Sequence, residues 1–184
     1  MIKYYAKVFA ITGLVFFLGM YFSDLNIMPA ARAFADAAAN AIVFAAALSL
    51  IMGTLHVVKA RKAAAGETGG DIYAVRQSRS FESPLGRDRL FAAASGYLRG
   101  SLGCVITESD PSAGSLCGRT PIDLATFGSS VSVSFQGTPE GPTLVTVVSR
   151  PFLFFMLADY GENLRISRGL ERHLRGLAAA SGQE

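Results

Sequence analysis

The chain has 184 residues, of which 51% are hydrophobic and only 17% charged, with a net charge of +3 and a mean hydropathy of +0.36. That balance is too apolar for an average soluble domain and the chain too short for two large ones, so part of it is expected to be solvated by lipid. The apolar residues concentrate before Val58, and the region after Asp71 has the composition of one small globular domain.

In chain order, the first apolar segment covers about residues 4–22 and the second about residues 37–58, and each has the length needed to cross a hydrocarbon core. Tyr4, Tyr5, Tyr21 and Phe22 stand at the ends of the first segment, where amphipathic rings favour the interface. The resulting expectation is a transmembrane helical hairpin over residues 1–62. A cleaved leader is the rival reading, since Lys3 and Lys7 precede an apolar run and Ala33-Phe34-Ala35 has the small residues of a cleavage site. The separation of that tripeptide from the apolar run, and the second segment directly after it, argue against cleavage. Lys3 and Lys7 before the first segment, and Lys59, Arg61 and Lys62 after the second, predict a multi-pass protein of a bacterial plasma (inner) membrane with both termini cytoplasmic.

Within the second segment, Ala37, Ala41, Ala45, Ser49 and Gly53 recur every four residues as a stripe of small side chains, the pattern that lets another helix approach closely. Its partner is either the first helix, through Ala6, Ala10 and Gly13, or a different subunit. Asn40 lies near the outer end of the segment and His56 near the inner end, too shallow to read as a proton relay or ligand site.

Residues 63–71, AAAGETGGD, read as a flexible linker, and residues 72–184 as a soluble α+β domain. There, 72–81 reads as a strand and 86–102 as an amphipathic helix with Leu90, Phe91, Ala94, Tyr97, Leu98 and Leu102 on one face. A short strand is expected at 104–107, a Ser/Gly/Pro-rich loop at 109–120 and another strand at 122–127. Val131, Val133 and Phe135 alternate with serines, and 144–149 supplies the hairpin partner. A closing helix covers 159–177. The expected fold is therefore a membrane-anchored α+β protein: a two-helix transmembrane hairpin followed by a small antiparallel sheet covered by two helices.

The chemistry-bearing residues are sparse. Cys104 and Cys117 are far apart in sequence and His173 stands alone after Asp71, so no zinc spacing exists and both cysteines are expected to be free thiols of a reducing compartment. No nucleophile elbow, phosphate-binding loop or dinucleotide motif occurs, and Asp159, Glu162 and Glu171 read as helix-start and surface charges. No catalytic residue, cofactor or metal site is therefore expected. Contact with a partner or lipid is assigned to Phe152, Phe154 and Phe155 in the apolar run 152–157, and to Arg168, Arg172 and Arg175 on the last helix. Arginines and acidic residues nearly balance after Asp71, which argues against nucleic acid. The partners expected are membrane lipids and other membrane protein subunits. The functional expectation is a non-enzymatic accessory or assembly subunit of a larger membrane complex, the alternative being a tethered module that binds a lipid or other apolar ligand between sheet and helices.

Overall fold

The computed structural model describes residues 2–64, 71–122, 127–138, 141–153 and 156–181. It divides into two compact units, residues 1–59 and 60–184.

The first unit holds two long helices, α1 (Ile2–Asp24) and α2 (Ala30–Ala64), the last turn of α2 belonging to the second unit. Both are long and apolar enough, by length and composition, to cross a membrane. The hydrophobic side chains Leu14, Val15, Ile42, Val43, Leu50 and Ile51 are exposed on the pair. α2 starts several residues before the expected 37. Pro29 sets the start, its carbonyl accepting the amides of Arg32 and Ala33, and the alanine-rich stretch after it is a strong helix former. Arg32 and Asp36 pair one turn apart at 3.9 Å on the outside.

The second unit is a five-stranded antiparallel sheet with two helices on one face. Its elements are β1 (Gln77–Ser83), α3 (Arg87–Gly100), β2 (Val105–Asp110), β3 (Ser115–Arg119), β4 (Ser129–Gly137), β5 (Thr143–Pro151) and α4 (Glu162–Ser181), with strand order β1-β5-β4-β3-β2. Burial alternates strictly along β4 and β5: Val131, Val133, Phe135, Val145 and Val147 point to the helices, whereas Ser130, Ser132, Ser134, Thr146 and Val148 point away. α3 inserts Leu90, Phe91, Ala94 and Leu98, and α4 adds Ile166, Leu170 and Leu174, all buried in one cluster with Phe81 and Leu116. Phe91 meets Phe135 at 5.7 Å between ring centroids, one of the aromatic contacts that close this core.

Three expectations shift. β1 begins at Gln77, so residues 72–76 precede the strand. The stretch read as a loop at 109–120 contains β3, and the turn before it depends on Gly114, whose φ of +63° suits glycine and where a Cβ would collide with the Phe135 carbonyl. Of the strand expected at 122–127, residues 123–126 lie outside the described residues, as do 65–70 of the expected linker, and α2 itself runs on to Ala64.

Candidate functional site

In the first unit the stripe of small residues faces α1 of the same chain. Ala37, Ala41, Ala45, Ser49 and Gly53 are all buried. The Ser49 hydroxyl donates to the Tyr5 carbonyl at 2.9 Å, a Cβ on Gly53 would strike the Tyr5 ring, and a Cβ on Gly13 would come within 3.2 Å of the Ala45 methyl. Close approach is thus used within the hairpin, and larger rings lock its flanks: Phe16 stacks on Phe44 at 4.2 Å and Tyr4 on the fully buried His56 at 4.3 Å. The seam therefore has an occupant in this chain.

In the second unit the three arginines of α4 take different roles. Arg168 is buried and donates to the Ala63 carbonyl, while Gly161, at φ +80°, lets the chain pass where a Cβ would lie 2.9 Å from the Ala60 backbone. Arg175 lies 4.7 Å over the Phe81 ring and donates to Glu171 at 2.9 Å, and Glu171 also receives Arg79 at 2.8 Å. Arg172 is exposed. No common basic face results from the three.

Ahead of α4, Asp159 is 1% exposed and accepts the amides of Gly161 and Asn163 and the Asn163 side chain, at 3.2, 2.9 and 2.9 Å. Ser149 of β5 donates to Asn163 Oδ1 at 2.6 Å. The carboxylate is a helix cap built into a buried network, which is the role its position before a helix implies.

Cys104 belongs to the core, and burial pushes its thiol pKa up. Cys117 alternates with the buried Leu116 and Gly118, so it lies on the open face of the sheet, where its thiol meets the Ser132 hydroxyl at 3.5 Å. The two sulfurs are on opposite sides of β3 and both are free. Among the described residues no group of three or more His, Cys, Asp or Glu could hold a metal ion.

The second unit has a cavity of about 330 Å³ at one end of the sheet's open face, lined by Arg76, Ser130, Arg150, Phe152, Leu153 and Met156 among others. Phe152 is 42% exposed, and Leu153, Met156 and Leu157 are half-buried, while Phe154 and Phe155 lie outside the described residues. Register explains the basic wall: Arg119 pairs with Ser130 and Ser130 with Arg150, and Arg76 immediately precedes Gln77, which pairs with Ser149. Arg119 sits 4.4 Å over the Phe152 ring. Among the described residues, none of these three arginines forms an ion pair with a carboxylate. Sequence reasoning missed Arg76, Arg119 and Arg150, because they become neighbours only through the pairing of β1, β3, β4 and β5.

No family model matches the chain, and no curated protein matches it. Among solved structures it is similar to Ara h 8.0201, with 12% identity and a TM-score of 0.32, the match covering 57% of this chain and 97% of that one. It is also similar to the di-domain ARO/CYC StfQ from the steffimycin biosynthetic pathway, with 12% identity and a TM-score of 0.33, covering 60% of this chain and 52% of that one. Scores of this size leave the site to be read from its own residues.

Proposed function

We propose that the chain is a membrane-anchored, non-enzymatic accessory subunit: residues 1–62 cross a bacterial inner membrane as a helical hairpin, both termini are cytoplasmic, and the sheet module is presented to a larger membrane complex. The anchor rests on two apolar helices whose outer surfaces carry exposed leucine, isoleucine, valine and phenylalanine side chains, which water would not tolerate at this density.

The observation that carries the accessory reading is the division of labour between the two faces of the sheet. One face is covered by α3 and α4, whose Leu90, Phe91, Leu98, Ile166, Leu170 and Leu174 are buried in one cluster against it. The other face is left open and is lined by Ser78, Ser80, Thr146, Ser132, Ser134 and Ser115, small side chains that would let a second protein layer lie close. With the small-residue seam of α2 filled by α1, this face is the docking element the reading favours over the seam.

The test is native extraction of the full chain from its membranes, with sizing and mass analysis of the proteins and lipids that travel with it. Recovery in a defined complex, lost on Ser132→Arg with the module still folded, is expected. A chain that migrates alone, with its lipids, from every mild detergent contradicts the proposal.

A further inference from the structure

We infer that the cavity at the end of the open sheet face is a binding site for an anionic amphiphile, a phosphate-bearing headgroup with an apolar chain beside it. The site lies at one end of the same open face and is argued from its own lining, so it does not require the accessory reading.

Arg76, Arg150, Ser130 and Arg119 form one row across the lead-in to β1 and strands β5, β4 and β3. Like charges gathered on one concave surface repel unless a counter-charge lies between them. Arg76 and Arg150 both line the cavity, both are exposed, and among the described residues neither meets a carboxylate. An anion between them converts the repulsion into two charge-assisted contacts, with the Ser130 hydroxyl available as a further donor, and guanidinium forks match the oxygens of a phosphate.

The rest of the lining has a different character. Phe152, Leu153 and Met156 are apolar, and Pro151 carries the chain out of β5 beside them. Arg119 spreads its guanidinium on the Phe152 ring, which holds that ring at the junction between the basic row and the apolar wall. A small inorganic anion would use the row and leave the wall in water. A phosphate joined to an acyl chain uses both, and a volume of about 330 Å³ accommodates a headgroup with the first part of a chain.

The experiment uses the full chain in nanodiscs of phosphatidylcholine, with the Met156 methyl resonance as reporter. It is titrated with inorganic phosphate, dihexanoyl phosphatidic acid and dihexanoyl phosphatidylcholine. Phosphatidic acid is expected to move the signal at concentrations about tenfold below those of inorganic phosphate, and phosphatidylcholine to leave it in place. The double variant R76Q/R150Q should weaken phosphatidic acid by about tenfold or more, with an unchanged melting temperature. Leu153→Ser should weaken phosphatidic acid and spare phosphate.

Equal responses to the two lipids, or a titration that R76Q/R150Q leaves untouched, would overturn the site. Phosphate binding as tight as phosphatidic acid and indifferent to Leu153→Ser would overturn the amphiphile and leave an inorganic anion as the ligand. Should R76Q/R150Q lower the melting temperature, Arg119→Gln, placed at the far end of the row, supplies the second reading: a weakened titration supports the site and an unchanged one counts against it.

Discussion

The Ser149 hydroxyl on β5 and the Asn163 side chain in the first turn of α4 are joined by a buried hydrogen bond of 2.6 Å. Asp159 completes the link by receiving both the amide and the side chain of the same asparagine, so the last strand, the connection and the last helix are held by one polar cluster inside an apolar module. Removing one member leaves the others buried and unsatisfied, which costs more than the lost bond alone. Asp159→Ala or Asn163→Leu should therefore destabilise the module by about 2–4 kcal/mol, and Ser149→Ala by about 1–2 kcal/mol. Thermal unfolding followed by circular dichroism checks the order, and a neutral Asp159→Ala would contradict it.

In the hairpin, the methyl of Ala45 and the absent side chain of Gly53 set the distance between α1 and α2. Apolar burial gives no drive for association in lipid, so the pair depends on this close contact. Ala45→Leu with Gly53→Leu keeps the segment apolar while wedging the helices apart. A cross-link between engineered cysteines at Ala10 and Ala41 is expected to fall severalfold in yield, and an unchanged yield would show that the seam does not hold the pair.

The two thiols should differ in reactivity. Cys104 is buried with its pKa raised by desolvation, so less thiolate is present at any pH near 8, whereas Cys117 is on the open face. Iodoacetamide at pH 8 should modify Cys117 first, by about tenfold or more in rate. Reductant should leave the melting temperature unchanged, because the sulfurs lie on opposite sides of β3.

Asp110 caps the turn between β2 and β3: the Ser112 hydroxyl first, and the Ala113 amide second, hold its carboxyl below the usual carboxylate range. A depressed pKa in the folded state means that the turn's stabilisation is present above the unfolded value and lost as pH falls through the folded one. Hydrogen exchange at the Ala113 amide should accelerate across that acidic window beyond the intrinsic pH trend. Asp110→Ala should remove that extra acceleration and leave an amide that exchanges fast and follows the intrinsic pH trend alone.

The apolar runs, the amphipathic spacing of Leu90 to Leu98 and the Val131-Val133-Phe135 alternation make most elements legible, since each signal is periodic and local. β3 is not legible, because Ser115-Leu116-Cys117-Gly118-Arg119 holds a single strong apolar strand residue, and Gly118 occurs where a Cβ would come within 3.3 Å of Cys104. The stripe from Ala37 to Gly53 is visible as a pattern, while its occupant is not, because helix pairing joins residues such as Tyr5 and Ser49 that are far apart in the chain. Arg168 looks like one of a basic trio and is instead buried against the Ala63 carbonyl, a contact that spacing on one helix cannot reveal. The arginine row is hidden for a related reason: its members share a face only once the strand register is known.

The anchoring of the first unit is the claim on which the rest depends, and labelling of single cysteines in sealed, right-side-out membrane vesicles tests it most directly. In a background with Cys104 and Cys117 replaced by serine, one reporter is placed at Asn26, between the helices, and another at Thr107, an exposed position of β2. A membrane-impermeant maleimide should label Asn26→Cys in intact vesicles and Thr107→Cys only after the membrane is opened. Labelling of both positions in intact vesicles, or release of the chain by alkaline carbonate, would contradict the account.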